Sequence, residues 1–437
     1  MLRKKVKTRF APSPTGYLHI GGLRSALYAY LFAKQNKGKF ILRIEDTDRS
    51  RYVEGAEIQI MNSLSKIGLK WDEGPYLNND SKIKEKGQNG PYFQSKRLKI
   101  YGKYVDMLLK SDNAYHCFCS EERLKKLREE QKNNNQPTKY DGSCRSLPKK
   151  EVAKKLSNNE EYVIRLKVPD KGEIKFKDII RGQVKFQMED IDDQVILKSD
   201  GFPTYHLAVV VDDNLMDITH VIRGEEWISS TPKHILIYKA LGWEIPEFAH
   251  LPLLLNKDRS KLSKRQGDVA VEDYFNKGYL VEALLNYIAL LGWHPSDDKE
   301  IFSLKELIKN FELKRVQKAG AIFDVNKLNW FNCHYISNKS EKEIIKLADK
   351  YLPDIDHKLL IKILRLEKKR LETLDQIGDI CSIFLGIVDY DPEILIFKKS
   401  NKEDTFKALN LVNDELVKYK KWKQDKLLKV LTSLVKD

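Results

Sequence analysis

Apolar positions change their spacing along the chain, and each change predicts a different element. Residues 7–11 read as a short strand. Pro12, Pro14 and Gly16 then punctuate a loop. Leu23, Leu27 and Leu31 recur about one helical turn apart and predict a helix over 22–37, ended by Gly38. Residues 40–44 predict a second strand, with Glu45, Asp46, Thr47 and Asp48 at its C-terminal end. Strand, helix, strand in this order is a βαβ unit. It predicts a parallel sheet with its ligand site beyond the C-terminal ends of the strands.

A further helix is predicted over 92–109. From about 110 to 195 the pattern shifts to a cysteine cluster, a polar tract at 133–137, and short strand-like runs at 162–168 and 184–188. This stretch reads as a module inserted into the α/β unit. Residues 206–211 are almost continuously apolar and predict a strand buried on both faces. Residues 220–222 predict another strand and 232–241 a helix. Beyond about 275 the spacing is helical, as at Ile344, Leu347, Ala348, Tyr351 and Leu352, and again at Ile377, Ile380, Cys381, Phe384 and Ile387. The expected fold class is α/β with a parallel sheet, followed by an all-α C-terminal region.

Composition narrows the setting. Among 437 residues, 78 Lys and Arg outweigh 63 Asp and Glu, giving a net charge of +15. That excess favours polyanionic partners, although lysine is abundant throughout. The last 107 residues carry only +3, so the excess is not concentrated in the helical tail. No apolar run approaches the roughly 18–20 residues needed to span a bilayer, so no membrane partner is expected. No apolar signal core follows the basic start, and five cysteines are too few for a disulfide scaffold. A cytoplasmic protein is the expectation.

Two segments carry candidate phosphate chemistry. The first is Arg9-Phe-Ala-Pro-Ser-Pro-Thr-Gly16-Tyr-Leu-His19-Ile-Gly21-Gly22. A loop entering a helix offers unpaired N–H groups and a positive dipole end to an anion. Gly21 and Gly22 permit close approach, and His19 can donate from the same place. The second is Lys261-Leu-Ser-Lys264-Arg265, whose cations suit charge building on a phosphoryl group. Alone, the first reads equally well as a turn capped by His19, and the second reads more readily as a solvated basic loop.

Together they resemble the signature pair of class I aminoacyl-tRNA synthetases. Arg43-Ile-Glu-Asp-Thr-Asp48, Gly90-Pro-Tyr92, Thr204-Tyr-His206 and Val221-Ile-Arg-Gly-Glu-Glu-Trp227 extend the resemblance to bacterial-type glutamyl-tRNA synthetases. It is dense over 8–330 and thin beyond. It implies a Rossmann-type catalytic domain in two halves, 1–110 and 196–275. It implies an inserted acceptor-stem-binding module at 111–195, a helical stem-contact domain at 276–330, and a shortened helical anticodon-binding region at 331–437. The implied reaction joins L-glutamate to glutamate tRNA with ATP and Mg2+, in a monomer.

Residue by residue, the resemblance places Ser13, His19, Gly21, Gly22, Lys261 and Lys264 at ATP, with His19, Lys261 and Lys264 catalytic. It places Arg9, Ala11, Ser13, Glu45, Tyr205 and Arg223 at glutamate. Guanidinium suits two carboxylates, and Glu45 would face the ammonium. Val209 stands where some members carry Asn. A paralogue that modifies a tRNA base lacks an anticodon-binding region, and glutaminyl enzymes end in β-barrels. The helical stretch after Trp330 argues against both.

Cys117, Cys119 and Cys144 have spacing that suits three of four zinc ligands. Some members of the family complete such a site with His, where this chain has Ser146. Tyr140 is the candidate fourth ligand, and His116 a weaker one. The alternative is a zinc-free module with reduced, buried thiols. Cys333 and Cys381 read as ordinary buried cysteines.

Overall fold

β1 (Lys7–Phe10) and β2 (Lys39–Leu42) pair in parallel, with Lys7 opposite Lys39 and Phe10 opposite Leu42. Between them runs α1 (Ile20–Gln35), which buries Leu23, Leu27 and Leu31 completely. Burying each leucine contributes roughly 2 kcal/mol. The helix starts before the predicted residue 22 because His19 caps it. The computed structural model describes residues 5–262, 270–386, 390–396, 399–420 and 423–434.

α2 (Ala56–Ile67) leads to a hairpin of β3 (Gly74–Leu77) and β4 (Ile83–Lys86). Glu73 bridges Ile41 in parallel, which sets the hairpin against β2. Gly74 has φ +135°, and a Cβ there would lie 2.3 Å from the Leu42 carbonyl, so only glycine fits. α3 spans Leu98–Lys110 rather than starting at residue 92. Phe93 is held extended beside the end of β2 by a parallel bridge to Ile44, and a short 3-10 turn follows.

The stretch expected as an insertion contains β5 (Ala114–Cys117), α4 (Glu121–Asn133), α5 (Lys149–Ser157), β6 (Val163–Leu166), β7 (Glu173–Asp178), β8 (Gly182–Gln187) and β9 (Val195–Leu197). β5, β6 and β9 form an antiparallel sheet with β6 in the centre. The β7–β8 hairpin lies elsewhere and pairs with the main sheet through Asp178 opposite Phe248.

Residues 206–211, expected as a buried strand, belong instead to a helix, α6 (Tyr205–Leu215). Leu207 and the whole run Ala208 to Asp213 are buried. A helix enclosed on every side shows no apolar stripe, so the run of valines mimicked a strand. After α6 come β10 (His220–Gly224), α7 (Thr231–Ala240) and β11 (Glu247–Leu251). β10 and β11 pair in parallel, from His220 opposite Glu247 to Gly224 opposite Leu251. Beside β10, Thr219 N–H donates to the Lys7 carbonyl at 2.9 Å, which brings β1 alongside. The strand order is therefore β2, β1, β10, β11. Chain connections leave β1 and β10 in opposite directions, and a crevice opens beyond their C-terminal ends.

β12 (Leu254–Leu255), α8 (Val271–Asn276), α9 (Val281–Ala289), α10 (Leu304–Asn310) and β13 (Ala321–Ile322) follow. β12 and β13 pair in parallel inside a stretch otherwise helical. α11 (Val325–Ser337), α12 (Glu341–Leu347), α13 (His357–Glu367), α14 (Ile377–Leu385), α15 (Lys402–Val417) and α16 (Gln424–Leu434) complete the chain. Ile344 and Ala348 are buried as their spacing predicts, whereas Leu347 is exposed and Tyr351 lies in a 3-10 turn. Ile387 lies outside the described residues. Cys381 is buried, but Cys333 only partly, against expectation.

Two compact units result. One is Met1–Tyr351 with Leu364–Gln376, the other Leu352–Ile363 with Ile377–Asp437. Among the described residues no helix is long and apolar enough to cross a membrane.

Candidate active site

A cleft of about 1010 Å³ opens at the C-terminal ends of β1 and β10. Arg9, Ala11, Ser13, His19, Gly21, Gly22, Glu45, Tyr205, Arg223 and Lys261 all line it. Two loops with no sequence proximity to each other thus meet the strand ends. Lys264 lies outside the described residues.

One corner of the cleft is built by the start of α1. His19 Nδ1 accepts the Gly22 N–H at 3.0 Å. That bond satisfies one of the helix's orphan donors. It also assigns the tautomer: with Nδ1 accepting, the neutral ring carries its proton on Nε2. Gly22 N–H is therefore engaged by His19. A Cβ on Gly21 would stand 3.1 Å from the His19 ring, so glycine leaves the ring its place.

Beneath β1 and β2 lies a buried ion network. Asp213 accepts from Arg9 Nε with both carboxylate oxygens, at 3.2 and 3.3 Å. Its Oδ1 also meets Arg43 Nη1 at 2.8 Å. Arg43 Nη2 holds Glu45 at 3.1 Å. Asp212 accepts from Arg97 Nε at 2.7 Å, and from Tyr101 and Gln94 at 2.9 Å. Three guanidiniums face three carboxyl groups, the kind of pairing that lets buried charges persist. Arg43 is completely buried, which rules out a surface ion pair with Glu45. Burial pushes the Glu45 carboxyl up to about 7, against the pull of Arg43 and Arg9.

Arg223, at the end of β10, is held on every side. Its Nε donates to His250 at 3.1 Å and its Nη2 to Thr231 at 2.9 Å and the Trp227 carbonyl at 3.3 Å. Its Nη1 donates to the Tyr205 hydroxyl at 3.0 Å and lies 3.3 Å from His234 Nδ1. Behind His250, Asp178 sits 2.6 Å from Nδ1. Although buried, Asp178 is held below its ordinary range by His250 and by backbone N–H groups. Burial pushes His250 and His234 down, so both are neutral near pH 7.

Away from the cleft, Cys117, Cys119 and Cys144 bring their sulfurs within 4.8 Å of one another. The Tyr140 hydroxyl lies 3.3 Å from Cys117 Sγ and 3.5 Å from Cys119 Sγ. Arg165 stacks over its ring at 3.9 Å and holds it there. Ser146 is exposed, whereas Ser143 Oγ stands 3.3 Å from Cys119 Sγ. His116 faces Phe118 and Tyr162 instead. The donor set of three thiols and a phenol suits a tetrahedral zinc site.

Residues 5–330 match the family described as tRNA synthetases class I (E and Q), catalytic domain, and residues 343–437 match an anticodon binding domain. The chain belongs to the class I tRNA synthetases of the glutamate and glutamine group. It is 57% identical over 349 residues to a glutamate–tRNA ligase of Alkaliphilus metalliredigens, covering 80% of this chain and 71% of the relative. With a glutamate–tRNA ligase of Finegoldia magna it shares 48% identity over 421 residues, 94% of this chain and 86% of the relative. A crystal structure of glutamate-tRNA synthetase from Elizabethkingia anophelis superposes with a TM-score of 0.84 at 39% identity, covering 99% of this chain and 90% of that one.

Several residues that support this synthetase's cleft from behind gave little sign in the sequence. Asp212 and Asp213 were hidden by taking the preceding run for a strand. Two acidic residues closing an apolar run were the available signal, since such a pair needs buried cations. Asp178 and His250 gave none, because they come from different strands and meet only in the folded sheet.

Proposed function

We propose that this chain activates L-glutamate with ATP and transfers it to the 3′-terminal adenosine of glutamate tRNA. A glutamate carboxylate oxygen attacks the α-phosphorus, and pyrophosphate leaves. The ribose hydroxyl then takes the acyl group, and AMP leaves. No protein nucleophile is needed, so positioning and charge stabilisation carry the catalysis. The observation that carries this reading is the convergence of Arg9, Glu45 and Arg223 with the His19 corner on one cleft.

In this reading Arg9 binds one carboxylate, Arg223 holds the Tyr205 hydroxyl that meets the other, and Glu45 faces the ammonium. Ala11 and Ser13 contact the substrate from the loop, and Ser13 also borders ATP. His19 Nε2–H and the backbone at Gly21 hold ATP phosphates, with Gly22 supporting His19. Lys261 and Lys264 meet the charge that develops as pyrophosphate leaves. Mg2+ carried by ATP supplies further neutralisation. Cys117, Cys119, Cys144 and Tyr140 would hold a structural zinc that ties β5 to the following loop. Residues 111–195 would bind the acceptor stem, 276–330 the neighbouring stem and 331–437 the anticodon. We read the chain as a cytoplasmic monomer.

ATP–pyrophosphate exchange with glutamate tRNA present tests the activation step. Exchange that requires glutamate supports the reading, and exchange indifferent to glutamate overturns it.

A further inference from the structure

The cleft wall beside Arg223 carries hydrogen bonds whose direction is forced. A guanidinium only donates. Arg223 Nη1 lies 3.3 Å from His234 Nδ1, so that nitrogen accepts and bears no proton. The neutral His234 ring then keeps its proton on Nε2. His234 Nε2 stands 3.2 Å from His206 Nδ1 and donates to it. His206 must in turn carry its own proton on Nε2. Burial, with Lys233 and Arg223 nearby, pushes His206 down to about 4, which keeps the ring neutral.

His206 is only partly buried and lines the cleft next to Tyr205. Among the described residues no group bonds to its Nε2. The Tyr205 hydroxyl accepts from Arg223 Nη1 at 3.0 Å, which leaves its hydrogen to donate. Each N–H of Arg223 is already engaged within the protein. What this wall offers a ligand is therefore Tyr205 O–H and His206 N–H, both donors.

We propose that His206 is a specificity-determining residue, whose fixed Nε2–H acts with Tyr205 to accept a side-chain carboxylate and reject a carboxamide. The inference rests on the reading that this cleft binds glutamate. The α-ammonium and α-carboxylate share one carbon, so in that reading the α-carboxylate lies close to Glu45. The wall at Arg223 is left for the side-chain end. A carboxylate offers an oxygen to each donor. A carboxamide offers one oxygen and turns its NH2 against the other donor. Sites that pair a substrate group by hydrogen bonds discriminate strongly against a mismatched analogue. His234 acts as a positioning residue, because it sets the polarity of His206.

The test measures ATP–pyrophosphate exchange of the full chain with glutamate tRNA, using glutamate or glutamine. Wild-type exchange without glutamate dependence would overturn the underlying reading, whatever His206 does. His206→Asn keeps an oxygen for His234 Nε2–H and withdraws the outer donor. It is expected to raise the KM for glutamate about tenfold or more, to leave the KM for ATP unchanged, and to lower the glutamate-to-glutamine ratio of kcat/KM. His206→Gln reaches as far as the imidazole and should recover glutamate binding. Its amide can turn, so its ratio stays below wild type. Thermal melting checks folding, and the Gln variant carries the test if the Asn variant does not fold. A wild-type ratio in the folded variants, or equal losses for glutamate and ATP, overturns the proposal.

Discussion

Asp213 grips Arg9 by its Nε, with its carboxylate oxygens 3.2 and 3.3 Å away, and so fixes a cleft arginine from behind. The same carboxylate holds Arg43, which holds Glu45. One helix residue thereby orients both a cation and an anion of the cleft. Asp213→Asn should destabilise the fold by roughly 3 kcal/mol, because it leaves buried guanidiniums undercompensated. It should also raise the KM for glutamate more than that for ATP. Urea denaturation and exchange kinetics check the two parts, and equal effects on both substrates would contradict this arrangement.

Glu45 should impose a pH dependence. Its carboxyl is raised from 4.5 to about 7 by burial. Between those values the folded state binds more protons than the unfolded one. The stability Glu45 contributes is thus full below about pH 4.5 and lost as pH rises through about 7. Binding of the ammonium needs the ionised form, so the KM for glutamate should fall as pH rises to about 7. Glu45→Gln should flatten that limb and weaken glutamate throughout. A wild-type profile in the variant would exclude Glu45 from the ammonium site.

Gly21→Ala separates stability from activity. Alanine favours the helix by up to about 1 kcal/mol, so melting should hold or rise. Its methyl would press on the His19 ring at 3.1 Å, and exchange should fall about tenfold. Unchanged exchange would mean that the His19 position is not critical.

Arg223→Gln should weaken glutamate far more than ATP, since the residue anchors Tyr205 and the neighbouring histidines. Lys264→Ala should slow adenylate formation by orders of magnitude with the fold intact. Substrate titrations and single-turnover kinetics distinguish the two effects.

Zinc can be counted directly. Elemental analysis should find about one zinc per chain, the capacity of one tetrahedral site, and Cys144→Ser should lose it. Tyr140→Phe should weaken retention against a chelator without preventing binding by the three thiols. Wild-type protein prepared with zinc that retains none would leave the cysteines as plain buried thiols.

The sequence showed the strand-end site because its parts are local: a loop, a capped helix and a charged strand end each occupy a few consecutive residues. Arg9, Glu45, Arg223 and the His19 loop were legible for that reason. The residues behind them were not. Asp213 reaches Arg9 on β1 from helix α6, far along the chain, and Asp178 meets His250 only through the pairing of β7 with β11. Such partners come from tertiary packing, which no local pattern encodes. The enclosed helix α6 failed to announce itself for a related reason, since a helix buried all round loses the periodicity that identifies it.

The central claim is that glutamate is joined to the 3′-terminal adenosine of its tRNA. Labelled glutamate, ATP and purified glutamate tRNA test it most directly, before and after periodate oxidation of the terminal ribose. Charging of intact tRNA that is abolished by periodate is the expected result. No charging of intact tRNA, or charging that survives periodate and so lies on a base, would contradict it.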